Sequence, residues 1–431
     1  MKTLFSNLLI LAMCIGLLAG CNQPEKKDGK DPIDPNQPET STQQEIGSVG
    51  QPNGSEDAGL PTASKPIGAK PVQQKPVTTP DQSRVDWPVF RGNPASTGFT
   101  PEAVPETLDV LWEFKVENGA FESTPVIVDG VVYIGDLDNR VFALDLESGD
   151  LRWEFTTDIG FYAAPAVRDG RVFIGNMDGF FYCLDAADGK PLWTFEAGAT
   201  IDGGANFYKD NVIFGSQDAK LYCLNQETGE LVWEHEIDDQ IRCSPSIVEN
   251  RAFVAGCDGV LHMINLDDGT AIGGVVIDSP TGVTPATMGR YAYLGTEQIG
   301  FYCIDWKEAK VQWNYQDPLG PASTRSNPAV TAGHVVFGSR NRKVVSLDPE
   351  NGEVSWQFEA RGPIDSSPVI ANQRVYVGAD DRRMYVLDLK TGEKISEREV
   401  NGKILGSPAV SAGRLIVATN RGVVYCLGSK E

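Results

Sequence analysis

At 431 residues the chain is too long for one hydrophobic core of ordinary design, so several domains or a repeat architecture is required. Its formal net charge of −22 falls almost wholly after residue 84, and an acidic body of this kind excludes nucleic acid as a partner. The composition, with 45 glycines and many Val, Ile, Phe and Tyr residues, fits an all-β protein.

In chain order, the first element is a leader. Lys2 precedes an apolar run that closes in small residues, the layout of a secretory signal. Its end, Leu18-Ala19-Gly20-Cys21, resembles the bacterial lipobox, which makes residues 1–20 a signal peptide and Cys21 a lipidation site. The run is short for a membrane span; a transmembrane anchor and an unlipidated signal are the competing readings. Residues 21–84 then carry Pro, Gln, Lys, Asp and Gly with almost no large apolar side chains. Such a segment cannot bury enough surface to offset its ordering entropy and reads as a disordered tether, with a Pro-rich recognition segment as the alternative. Extended at ~3.1 Å per residue, it would reach on the order of 100 Å or more.

From residue 111 the chain repeats. Each copy has a Pro or Ala in a first strand and, ten residues on, a small residue closing a second: Pro125–Gly135, Pro165–Gly175, Ala205–Gly215, Pro245–Ala255, Pro285–Gly295, Pro328–Gly338, Pro368–Gly378 and Pro408–Ala418. The spacing between copies is forty residues, or forty-three once, and each copy holds four short strands. The expected fold is an all-β, eight-bladed β-propeller of four-stranded antiparallel blades. Hairpin turns are expected at Asp129-Gly130, Asp169-Gly170, Glu249-Asn250, Ala332-Gly333 and Ala412-Gly413, and one residue out of step at Asp210-Asn211. The third-to-fourth strand connection repeats Asp or Asn, then Gly, then Trp, as in Asp145-Gly149-Trp153 and Asp348-Gly352-Trp356. The last copy lacks a Trp strand, whereas a spare one, Leu111–Val116, precedes the first. This N-terminal strand should pair with the last blade and close the ring. The lead-in, residues 85–110, contains Trp87-Pro88-Val89-Phe90-Arg91-Gly92-Asn93, and nothing in its pattern fixes a position on the ring.

The Asp-x-x-x-Gly-x-x-x-Trp turn, the near-forty spacing and the ring count resemble the PQQ-like repeat β-propellers. With the lipobox added, the chain resembles the BamB family of lipoproteins in outer-membrane protein assembly. That resemblance implies a non-catalytic, membrane-anchored protein–protein interaction scaffold. Asn22, in place of the Asp linked to inner-membrane retention, implies the outer membrane, with the ring in the periplasm. Its partners would be other envelope proteins, and the protein itself a monomer. The lead-in looks like that of many bacterial quinone-repeat proteins.

A quinoprotein (PQQ-dependent) dehydrogenase, as the resemblance describes it, carries a vicinal Cys-Cys disulfide, a Trp stacked on the quinone and a Ca²⁺ site. No two cysteines are adjacent here, so no catalytic residue and no cofactor is assigned; that enzyme and a surface ligand-binding propeller are the alternatives. Of the body cysteines, Cys183, Cys223, Cys303 and Cys426 share one third-strand slot with Ala143 and Ser346, a packing position that predicts buried thiols. Cys243 and Cys257 are one register step out of alignment for a disulfide. His235, His262 and His334 have no metal-ligand spacing. Two surfaces remain. The residues just before each first strand, among them Glu122, Tyr162, Asp202, Arg242, Arg325 and Asp365, should line one mouth of the channel. On the same face Arg340, Arg342, Lys343, Arg382, Arg383 and Arg421, beside Arg242 and Arg325, form a basic arc that would suit an acidic partner surface. A solvated rim and unspecific surface charge are the plainer readings of these two features.

Overall fold

A computed structural model describes residues 85–430 apart from 299, 319, 321 and 322. The signal peptide, Cys21 and the tether lie outside the described residues. The ring is the expected one: eight sheets, each built on four antiparallel strands from axis to rim, which are consecutive in blades 1 to 7. In blade 1 these are Val126–Val128, Val131–Gly135, Arg140–Asp145 and Leu151–Thr156. The ring closes as expected, with Asp109–Lys115 pairing antiparallel to Val423–Gly428 as the outer strand of blade 8.

Three inner hairpins, at Asp129-Gly130, Asp169-Gly170 and Ala412-Gly413, turn on two left-handed residues (φ 51° and 72° at the first), the geometry of a type I′ turn. The out-of-step turn in blade 3 is corrected. It lies at Lys209-Asp210, with Tyr208 opposite Asn211, in the same place as in the other blades. A slip of one residue would exchange Val212 and Phe214, which pack against blade 2, with Ile213, which packs against blade 4, so side-chain packing overrides the better turn residues of the local sequence.

Neighbouring blades are held by a clasp. The Trp of each outer strand lies over the Gly in the connection of the following blade, rather than that of its own. A Cβ on Gly189 would fall 2.5 Å from the Trp153 ring, and Trp153 Nε1 donates to Ala186 O at 2.9 Å. The same pair of contacts joins Trp112 to Gly149 and Leu146 O, and Trp193, Trp233, Trp313 and Trp356 to Gly229, Gly269, Gly352 and Gly392. Gly is required twice over, by φ near +75° and by the ring above it.

Two junctions lack the clasp, and each is repaired differently. Blade 4 has Gly273 in the Trp position; there Trp306, from the connection of blade 5, reaches back against Phe253 with ring centroids 5.6 Å apart. Blade 7 has Ser396 in the Trp position. There the lead-in fills the gap: Tyr376 Oη donates to Val104 O at 2.6 Å, Arg398 pairs with Asp109 at 2.8 Å, and Val104 and Leu108 join the core.

The rest of the lead-in plugs the axis. Trp87 exchanges main-chain hydrogen bonds with Ile127 of blade 1 at 2.7 and 2.9 Å. Pro88 O accepts from Val167 N in blade 2, and Pro94 O from the Asn206 side chain of blade 3 and Ile247 N of blade 4. Ala95, Thr97 and Gly98 carbonyls then accept from Thr287, Val330 and Ile370 of blades 5, 6 and 7. Phe99–Thr100 finally adds a fifth, parallel strand to blade 7. Inner strands splayed around an axis leave inward amides unpaired, and the lead-in satisfies those of blades 1, 2 and 4 to 7 in turn, bonding the Asn206 side chain in blade 3. Arg91 is fully buried in this plug and donates to Pro328 O and Pro368 O. Burial pulls its guanidinium down to about 9, so it remains a cation at neutral pH.

Candidate functional site: the axial funnel

With one end plugged, the channel is a blind funnel of about 180 Å³ with Phe90 among its lining residues. Its wall is built from short polar side chains that tie each blade to the next. Ser244 N donates to Thr284 Oγ1 (3.0 Å), Thr284 N to Asn327 Oδ1 (2.6 Å) and Asn327 N to Ser367 Oγ (2.9 Å). Ser407 N donates to Thr124 Oγ1 across the closing junction at 3.0 Å. The small residues one position earlier are there for backbone approach: a Cβ on Gly203 would sit 2.4 Å from Cys243 O. These residues serve packing: a Cβ on Gly406 would likewise sit 2.5 Å from Ser123 O.

The mouth carries charge. Glu122, Asp202, Arg242, Arg325 and Asp365 face the funnel, together with Tyr162 and Leu405. Arg242 pairs with Asp202 at 3.0 Å, Arg340 with Asp365 at 3.2 Å, and Lys403 with Asp380 at 2.6 Å. Three buried atoms at this face have no hydrogen-bond partner among the described residues: Arg325 Nε, Asp365 Oδ1 and Asp380 Oδ1. Burial, and then the charge of Asp365, pushes the Glu122 carboxyl above its ordinary value, while Arg325 and Lys403 pull the other way. Burial likewise raises Asp365, against the pull of Arg340.

A carboxyl raised in the folded state binds a proton more tightly there than in the unfolded chain. Its contribution to stability is therefore present at low pH and lost as pH rises through the folded value. Glu122→Gln is accordingly expected to raise the melting temperature at neutral pH. The gain should shrink as pH falls through the carboxylate range; thermal melts of both proteins across that range check this.

The basic arc is distributed differently from its appearance in sequence. Arg242 and Arg325 line the funnel and Arg340 reaches it through Asp365. Arg342 pairs with Glu359 at 3.2 Å, Lys343 with Asp317 at 3.0 Å, Arg382 with Glu399 at 3.5 Å, and Arg383 with Glu397 and Glu399 at 3.2 and 2.9 Å. These four answer carboxylates of their own neighbourhood. Arg421 is exposed, with no ion pair among the described residues. Two acidic residues in the corresponding loops of blades 1 and 3 are also engaged: Asp136 is fully buried and binds Arg140 at 2.8 Å, and Asp218 accepts from Tyr222 Oη at 2.7 Å.

Five body cysteines, Cys183, Cys223, Cys243, Cys303 and Cys426, are free buried thiols, and burial pushes each up to about 12. Cys243 does not bond Cys257; its thiol donates to Ala255 O at 3.3 Å. No group of three or more His, Cys, Asp or Glu among the described residues is placed to hold a metal ion. The plug residues Trp87, Phe90 and Arg91 are the part of the site that sequence reasoning missed. Their signal was a stretch of large apolar side chains and one Arg between a polar tether and the first repeat.

Eight four-stranded blades, joined by Trp–Gly clasps and closed by an N-terminal strand, define an eight-bladed propeller of PQQ-like repeats. The chain belongs to the family described as outer membrane protein assembly factor BamB, whose model matches residues 104–315 and 179–431. No curated protein matches it. Among solved structures it is similar to BamB from Moraxella catarrhalis, at 19% identity and a TM-score of 0.65, over 75% of this chain and 98% of that one. It is also similar to a europium-containing methanol dehydrogenase, at 14% identity and a TM-score of 0.69, over 80% and 98% of the two chains. A quinohemoprotein alcohol dehydrogenase from Comamonas testosteroni follows at 16% and 0.67, over 80% and 81%. At these identities the likeness is one of fold, which hosts both kinds of protein.

Proposed function

We propose that this protein is a non-catalytic docking scaffold of the cell envelope with a role in outer-membrane protein assembly. In this reading it is lipid-anchored at Cys21 to the outer membrane, with the ring held in the periplasm on the tether. The observation that carries the proposal is the family match, which spans the ring from the lead-in to the last residue. Two features of the ring support it. The chain's own lead-in fills much of the axis, leaving a shallow funnel. Two cationic groups of the mouth face also form no ion pair among the described residues: Arg325, which lines the funnel with Glu122 and Asp365 and whose Nε is buried without a partner, and exposed Arg421. An acidic segment of an envelope partner is the chemistry these groups would receive.

The test is crosslinking in cells from a photoreactive side chain placed at Arg421 and, separately, at Arg325. The expected result is capture of a component of the outer-membrane assembly machinery, and recovery of none would overturn the proposal. The dehydrogenase reading is tested in the same preparation. Titration with pyrroloquinoline quinone and Ca²⁺ is expected to leave the quinone absorbance unchanged and to give no dye-linked alcohol oxidation.

A further inference from the structure

The eight outer strands are the exposed edges of the eight blades, and seven of them carry charged side chains. These include Arg152 and Glu154 in blade 1, Glu234 and Glu236 in blade 3, Lys310 in blade 5 and Lys394, Glu397 and Arg398 in blade 7. Charge on an edge strand is the usual protection against pairing with another chain. Blade 4 is the exception. Its outer strand, Ala271–Val276, reads AIGGVV and has no charged or hydrogen-bonding side chain.

This edge is also open. Ile277 N donates to Gly259 O and Leu261 lies opposite Val275, so the odd-numbered residues bond inward to the blade. The N–H and C=O groups of Gly274 and Val276 therefore point away from the sheet, and no hydrogen bond to them occurs among the described residues. Ile272 and Val276 are 45% and 60% exposed, and Val276 is the most exposed of the large apolar residues described. Nothing in the fold requires glycine at 273: its φ is not positive, and a Cβ there would meet only Met263 Cε at an ordinary 3.5 Å. A Gly pair in a strand leaves room for another backbone to approach.

We infer that the outer strand of blade 4 is a β-augmentation site, which takes an extended segment of a partner protein as a fifth strand. The segment would have apolar side chains at alternate positions to meet Ile272 and Val276, and basic residues at its ends. The flanks set that last requirement. Exposed Asp268 precedes the strand and exposed Asp278 follows it. A second copy of this chain would bring carboxylate against carboxylate in either strand orientation, which disfavours self-pairing.

The experiment uses the full protein and a fluorescein-labelled synthetic peptide of alternating valine and threonine with a lysine at each end. Binding is read by anisotropy, and the site by hydrogen–deuterium exchange. The expected result is protection of the Gly274 and Val276 amides but not of the outer strands of blades 3 and 5. The double variant Ile272→Lys/Val276→Lys, whose positions are exposed, should fold as the native protein does and bind at least about tenfold more weakly, or ~1.4 kcal/mol. Equal binding by that variant, or protection spread over several outer strands, would overturn the proposal. So would a concentration-dependent dimer abolished by the same variant, because it would identify the occupant as a second copy. None of these outcomes bears on whether the mouth face docks an assembly component.

Discussion

Trp153→Ala should lower the stability of the ring by roughly 3–5 kcal/mol, the range for removing a buried aromatic side chain. Trp153 is only 8% exposed, packs on the blade 2 connection and donates to Ala186 O. Its loss leaves an unfilled space and leaves Ala186 O with the long 3.5 Å hydrogen bond from Tyr133 Oη. The partner change, Gly189→Ala, should also destabilise, for two reasons. Its φ of +73° strains any L side chain, and the new Cβ would lie 2.5 Å from the Trp153 ring. In the double variant the ring is gone, so the alanine keeps its backbone strain but loses its clash. The combined loss should therefore fall short of the sum by about 0.5–3 kcal/mol, a coupling expected of residues in direct contact. Denaturant midpoints of the four proteins check this. Strict additivity would mean that the clasp is two independent features.

The second large effect is expected at the plug. Trp87 is 2% exposed, and a Cβ on Gly92 would lie 2.7 Å from its ring. Trp87→Ala should cost a comparable 3–5 kcal/mol, and it should release residues 85–99 to proteolysis while the blades stay folded. Arg91→Met is a useful contrast. It gives up two charge-assisted hydrogen bonds to Pro328 and Pro368, at ~1.5–3 kcal/mol each. It also relieves the burial of a cation that no carboxylate among the described residues neutralises, an exchange that for other buried charges has been neutral or stabilising by ~1–4 kcal/mol. The two effects oppose each other, so Arg91→Met should change stability much less than Trp87→Ala. Limited proteolysis followed by mass spectrometry reports the release, and thermal melts give the ranking. A Trp87→Ala protein that resists cleavage in residues 85–99 would mean that main-chain bonding alone holds the plug.

How legible the molecule was in its sequence depended on the range of the interactions. The alternation of Val132, Tyr133 and Ile134, the Asp129-Gly130 turn and the forty-residue period are local, and they specify strands, hairpins and the number of blades. Ring closure by Asp109–Lys115 was legible by elimination, since one Trp strand was spare and one blade lacked its fourth. The turn of blade 3 misled for the opposite reason. Local turn chemistry favoured Asp210-Asn211, and burial of the whole hairpin face decided for Lys209-Asp210.

The function-bearing features were less legible because they arise between copies. Sequence placed Arg340, Arg342, Lys343, Arg382 and Arg383 in one basic arc, but each meets a carboxylate from 14 to 26 residues away, brought close only by the blade. That Trp153 clasps Gly189 rather than Gly149 follows from how blades stack, and no pattern within one repeat encodes it. By itself, then, the sequence determined the repeat, the blade count and the closure, because strand alternation and turn chemistry act over a few residues. Tertiary structure alone decided that the lead-in plugs the axis, that the basic arc is largely neutralised and that the uncharged outer strand of blade 4 leaves Ile272 and Val276 exposed. Each of these depends on which groups the ring brings together and which it leaves without a neighbour.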